Sequence, residues 1–159
     1  PSNTKLGWFN KIYYFLANGK SGFQPGKISK SGINFGIPEI PSTFYNVDWL
    51  CGGCLMHRKE NLILKNYYPF LGKAYAEDLF HSKSLRDNNV ILVRSGEAKC
   101  FVDFTSSKGG SWQNAIKGFS KSLIPMKIFV KSINGSIYRL YLVNFLIIIS
   151  LFLKKYLRK

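Results

Sequence analysis

Adjacent carboxylates at Glu77 and Asp78 open a stretch of helical character. Upstream lie Asp48-Trp49-Leu50, a glycine pair at Gly52 and Gly53 flanked by Cys51 and Cys54, and, about twenty residues before the acids, a basic pair, Arg58-Lys59. A carboxylate within hydrogen-bond reach of a hydroxyl can take its proton as general base. Glycines let a backbone come close to a ligand. Ser82 and Arg86, four and eight residues past Asp78, share its face of a helix. Each device also has a plainer use. Acids in a first helical turn complement the helix dipole, worth ~0.3–1 kcal/mol at an exposed site. Arg86 can be a solvent-facing charge, Trp49 a core residue, and the glycines a tight turn. His81, three residues past Asp78, can touch it or sit half-buried.

Cys51-Gly52-Gly53-Cys54 also has the form of a redox pair. That chemistry needs the motif to open a helix in a βαβ context, which this sequence does not supply. A zinc site needs two further ligands; Cys100, His57 and His81 are present but not at paired spacing. The two thiols otherwise fill small apolar slots.

The elements that must position these groups read as follows. Apolar and aromatic residues at 8, 9, 12, 15 and 16 have helical spacing within residues 1–18. Residues 18–43 are rich in Gly and Pro and predict loop, with at most short strands near Lys27–Ser29 and Ile33–Phe35. Phe44–Leu50 predicts a strand, and Cys54–Arg58 a second strand or the start of a helix continued by Lys59–Leu64. Asn66–Gly72 predicts a loop, Ala76–Asn88 a helix ended by Asp87-Asn88-Asn89, and Val90–Arg94 and Ala98–Phe104 strands. Residues 105–122, rich in Ser, Gly and Lys, predict loop. Met126–Leu157 predicts helix broken at Asn134-Gly135.

Taken in order, Trp49-Leu50, Gly52-Gly53, Arg58-Lys59-Glu60, Phe70-Leu71-Gly72, Glu77-Asp78, Ser82 and Arg86 resemble the acceptor half of family 2 glycosyltransferases, inverting enzymes with a GT-A fold. The resemblance covers residues 26–104. It implies an α/β fold of the GT-A type, and transfer of a sugar from a nucleotide-sugar donor to a membrane-linked or polysaccharide acceptor, glycan or lipid-linked. It gives Asp78, with Glu77 beside it, the general-base role. It places Gly52, Gly53, Trp49, Asp48 and Arg86 at the substrates: an aromatic wall at Trp49, a sugar-hydroxyl contact at Asp48, and support of the acids or of the donor diphosphate at Arg86. It also implies a divalent metal, Mg or Mn, on the donor diphosphate, held by an Asp-x-Asp that this chain lacks. Entering the family pattern at its midpoint, the chain is expected to be a C-terminal fragment. The Gln-x-x-Arg-Trp motif of processive members is absent, since Gln113 is followed by Asn114, Ala115 and Ile116.

The 159 residues carry 23 Lys and Arg against 8 Asp and Glu, a net charge of +15 that calls for an anionic partner. Basic residues are dispersed, with no nucleic-acid-binding module among them, so nucleic acid is excluded as the expected partner. The cluster Lys154, Lys155, Arg158 and Lys159 directly follows an apolar run, which points to a membrane surface. Ile137–Leu153 is apolar nearly all round, with Arg139, Asn144 and Ser150 as its strongly polar residues. Such a helix lies in an interface, spans a membrane, or packs in a core. The expected organisation is a partial glycosyltransferase domain over 1–125 and a membrane-associated helical tail over 126–159. Three cysteines, an odd number, argue against a disulfide framework and for a reducing cytosolic side, and with the terminal basic cluster the expected location is the cytoplasmic face of a membrane, peripheral or on a single short anchor. A rival of another class is a basic membrane-peripheral binding protein without catalysis.

Overall fold

The structure is a computed structural model that describes residues 8–36, 44–52, 55–70, 75–98 and 112–156. The elements in chain order are α1 (Trp8–Asn18), β1 (Phe44–Asn46), a 3-10 turn (Lys59–Asn61), α2 (Glu77–Asp87), β2 (Val93–Ser95), α3 (Trp112–Ser132) and α4 (Ile137–Tyr156). The chain is mixed, mostly helical, with one antiparallel two-stranded sheet among the described residues, compatible with an α/β class. It divides into two compact units. One takes residues 1–23, 29–33 and 107–159, the other 24–28 and 34–106. This division does not follow a boundary at residue 125, because α1 and all of α3 group with α4.

In the helical unit, three of the last four carbonyls of α1, those of Phe15, Leu16 and Ala17, find partners beyond the helix. The last turn of a helix leaves C=O groups without partners. Gly19 N–H donates to Phe15 O at 2.7 Å and Ser31 N–H to Ala17 O at 3.0 Å. Arg139, from the first turn of α4, donates through Nη1 to Phe15 O at 2.7 Å and to Leu16 O at 3.0 Å. A guanidinium there also meets the negative end of the helix dipole. Phe129 and Val130 of α3 and Leu140 and Val143 of α4 are fully buried, and the two helices pack together. The expected break at Asn134-Gly135 is present: Asn134 adopts φ 52° and Gly135 N–H returns to Val130 O at 2.8 Å. A Cβ on Gly135 would stand 2.5 Å from Lys30 O, so only glycine fits there.

Of the loop expected over 105–122, residues 105–111 lie outside the described residues and the remainder is corrected: α3 begins at Trp112. Trp112, Ile116, Phe119, Leu123, Met126 and Val130 recur at alternating intervals of four and three, one face of a helix. Ser120 and Ser122 return their hydroxyls to Ile116 O and Phe119 O of the same helix.

In the other unit, β1 pairs with β2 in the register Phe44↔Ser95, Tyr45↔Arg94 and Asn46↔Val93. Val47 N–H still donates to Leu92 O at 3.0 Å, after which Asp48 N–H turns to Gly26 O at 2.7 Å. The strand expected over Phe44–Leu50 therefore stops after three residues, and that expected over Val90–Arg94 is Val93–Ser95. Residues 55–58 are neither strand nor helix, and only the short turn at Lys59–Asn61 follows. The short strands expected near residues 27 and 35 reduce to one bridge, Ile28↔Asn34. The strand expected over Ala98–Phe104 lies almost wholly outside the described residues. Val47, Leu85 and Leu92 form the core here, with Tyr45, Leu50, Ile63 and Val90 against it.

Candidate functional site

Helix α2 begins within one residue of the expected position and carries both acids in its first turn. Its lead-in is strained. Ala76 sits at φ 59°, ψ 24° and supplies no side-chain cap; a non-glycine residue in the left-handed region is uncommon. Tyr68 braces this corner, its hydroxyl accepting from Tyr75 N–H at 2.7 Å and donating to Tyr75 O at 2.9 Å. Tyr68 also packs edge-on against Phe70 and Phe80. Backbone strain of this kind clusters at functional positions, and here it directly precedes Glu77 and Asp78.

The Asp78, Ser82 and Arg86 face of α2 meets the Asp48–Gly52 segment rung by rung. Gly52 N–H donates to Asp78 Oδ1 at 3.1 Å. Leu50 N–H donates to Ser82 Oγ at 3.0 Å. Arg86 Nη1 stands 3.8 Å from Asp48 Oδ1. Steps of four along the helix advance ~6 Å, and steps of two along an extended chain advance ~6.6 Å. The two spacings match, which is why alternate residues of the segment find successive turns of the helix. Ser82 is buried at 1% exposure, so its hydroxyl has a structural task that its sequence position alone does not reveal.

The rungs assign different work to the expected site residues. Asp78 uses one oxygen on Gly52; Oδ2 has no hydrogen-bond partner among the described residues. Gly52 was expected at the substrates, and the structure gives its N–H to Asp78. A Cβ on Gly52 would lie 2.6 Å from Asp78 Oδ1, so the close approach is between glycine and acid. Gly53 lies outside the described residues. Asp48 is engaged on both oxygens: Oδ1 accepts from Lys27 Nζ at 3.1 Å and Oδ2 from Ile28 N–H at 3.1 Å. Arg86 leans towards Asp48, and its Nε is buried with no partner among the described residues. Trp49 is half-buried, and its Nε1 donates to Phe35 O at 3.0 Å. That bond ties Phe35 to the Asp48–Gly52 segment. Glu77 is exposed. Cys51 is a free, exposed thiol.

Three residues that the spacing did not single out as a group meet around His81, one turn along α2 from Asp78. His57 and His81 approach at Nε2 to 3.2 Å, and the Tyr67 ring lies 4.7 Å from that of His81. Burial first, then Glu77 and Asp78, raise the Tyr67 phenol above its ordinary value of 10.0. The His57–His81 contact spans 24 residues, and no periodicity in the sequence announces it. Among the described residues no group of three His, Cys, Asp or Glu is placed to hold a metal ion.

Comparison with protein-family models, with curated proteins and with solved structures returned no match.

Proposed function

We propose that the chain carries the acceptor side of an inverting glycosyltransferase of the GT-A type, working at a membrane on a glycan or lipid-linked acceptor with a nucleotide-sugar donor. The observation that carries this reading is the pairing of Gly52 with Asp78. One carboxylate oxygen is fixed by a backbone N–H at 3.1 Å while the other has no partner among the described residues. A base held in this way is oriented without being consumed. In the proposed reaction the acceptor hydroxyl gives its proton to Asp78 Oδ2 as its oxygen attacks the anomeric carbon, and the nucleoside diphosphate departs with the bonding pair. Ser82 and Arg86 keep the helix in register with the Asp48–Gly52 segment. Trp49 offers a half-buried ring at the same segment.

The setting supports a membrane-linked acceptor. Helix α4 contains one stretch, Ile137–Lys155, long and apolar enough to cross a membrane, and only 11% of it is buried. Tyr138, Leu142, Phe145, Phe152 and Leu153 are exposed along it. Of its polar residues, Arg139 is used on α1 and Asn144 Nδ2 donates to Leu140 O at 2.7 Å. The same helix and the charge of +15 also favour the second reading, a basic membrane-peripheral protein without catalysis.

The test is transfer. Membranes from cells expressing the reading frame that contains this chain are offered labelled nucleotide-sugars, and lipid-extractable and polymeric products are counted. Label that depends on the expressed protein is the expected result. Membrane binding with no transfer from any donor, in the presence of Mg or Mn, would leave the non-catalytic reading standing.

A further inference from the structure

The chain has two histidines, and they meet. His57 comes from the extended residues 55–58 and His81 from α2, with ring centroids 5.0 Å apart and planes at 69°. Two arrangements bring imidazole nitrogens this close: a shared metal ion or a shared proton. Two nitrogen ligands on tetrahedral zinc lie roughly 3.3 Å apart, so the 3.2 Å separation does not decide. The far nitrogens do. A metal needs both Nε2 atoms bare and each ring proton on Nδ1, where a ligating histidine almost always donates to an acceptor. Nδ1 of His81 is buried with no partner among the described residues. The proton of His81 therefore belongs on Nε2, donated to a bare Nε2 of His57.

We propose that the His57–His81 pair is a proton-gated latch: the single shared proton holds residues 55–58 on α2, and a second proton opens the contact. Once both Nε2 atoms carry hydrogen, two donors face each other and no hydrogen bond remains between them. The latch lies next to the site. His57 is five residues after Gly52, His81 three residues after Asp78, so the latch and the Gly52–Asp78 bond tie the same segment to the same helix. The groups facing the pair are Tyr67 from residues 62–70 and Asp78 from α2 itself, with Glu77 bearing on Tyr67. Burial, and then the neighbouring His57, hold His81 below its ordinary 6.5 against the opposing pull of Asp78. The fold thus favours neutral His81. That stabilisation is fully present above pH 6.5 and is lost as pH falls through the folded value. The latch is closed near neutrality and opens in mild acid. It does not depend on the glycosyltransferase reading.

The test is an NMR titration of the full chain between pH 7.5 and 5, a window above the ordinary carboxylate range. The two imidazole signals and the Gly52 amide are followed together in the unaltered protein, in His81→Gln and in His57→Gln. The latch requires His81 to titrate below 6.5 in the unaltered protein and at higher pH in His57→Gln. It also requires the Gly52 amide to shift with the histidine midpoint. In His81→Gln, whose side chain can donate to neutral His57 through its NH2 and, turned over, accept from protonated His57 through its oxygen, the contact survives acid and the acid response of Gly52 should be lost. Two histidines titrating independently near 6.5 would overturn the proposal. So would a Gly52 shift that persists unchanged in His81→Gln. The titration of the unaltered protein decides by itself if a variant fails to fold.

Discussion

Replacing Gly52 by alanine tests the rung that orients Asp78. The backbone of Gly52 is outside the left-handed region, so alanine meets no conformational strain there. The new Cβ would stand 2.6 Å from Asp78 Oδ1. The carboxylate is the end of a side chain and can swing away, but the bond from Gly52 N–H, 3.1 Å long, is then lost. A hydrogen bond to a charged group contributes ~1.5–3 kcal/mol, and this exposed one belongs at the low end, about 1.5. Alanine offsets part of that by restricting the unfolded chain, ~0.4–1 kcal/mol in favour of the variant. The net expectation is a loss of ~0.5–1 kcal/mol. The sign should reverse once Asp78 is alanine, because the bond and the clash are both gone and only the stabilising ~0.4–1 kcal/mol remains. Urea unfolding in a Trp8→Phe, Trp112→Phe background leaves Trp49 as the reporter. Its Nε1 is bonded to Phe35 O, so its fluorescence follows the unit that holds the site. Coupling between the two positions of ~1.5 kcal/mol is the predicted result of the cycle. Equal effects of Gly52→Ala with and without Asp78 would refute the rung and the orientation argument built on it.

Arg139→Met keeps length and removes the donors to Phe15 O and Leu16 O. Lowered stability of the helical unit by ~1–2 kcal/mol is expected, read as an earlier thermal loss of the 222 nm signal. Membrane attachment is tested on the exposed stripe, since deleting everything after Ser136 would also remove the buried Leu140 and Val143. Leu142→Ser with Phe145→Ser should release the protein from anionic vesicles in flotation while helicity is kept, and undiminished binding would locate the membrane contact elsewhere.

The parts of this fold that are local were legible in the sequence, and the parts that depend on distant partners were not. Helix α2 declares itself through its acids at one end and Asp87-Asn88-Asn89 at the other, and the α3–α4 break through Asn134-Gly135. The start of α3 was hidden because Gly118 and several serines look like loop composition, although the four-three recurrence from Trp112 was present. The strand at Phe44 ends early for a tertiary reason: beyond Val47, Asp48 is drawn to Gly26, Lys27 and Ile28. The same holds for the site. The 78, 82, 86 face was visible as spacing, but its partners at 48, 50 and 52 became visible only when the helix was seen against the extended segment. Asp48, expected at a sugar hydroxyl, has both oxygens engaged within the fold. The His57–His81 contact has no periodic signal in the sequence, because the two residues stand 24 positions apart.

The central claim is that Asp78 is the base, and Asp78→Asn measures it most directly. The amide keeps an oxygen for Gly52 N–H and the shape of the side chain, and removes the basic oxygen. In the membrane transfer assay the variant should turn over ~100-fold more slowly or worse, the usual scale of a lost general base, with donor binding nearly unchanged. Turnover by Asp78→Asn within a few-fold of the unaltered protein would contradict the account.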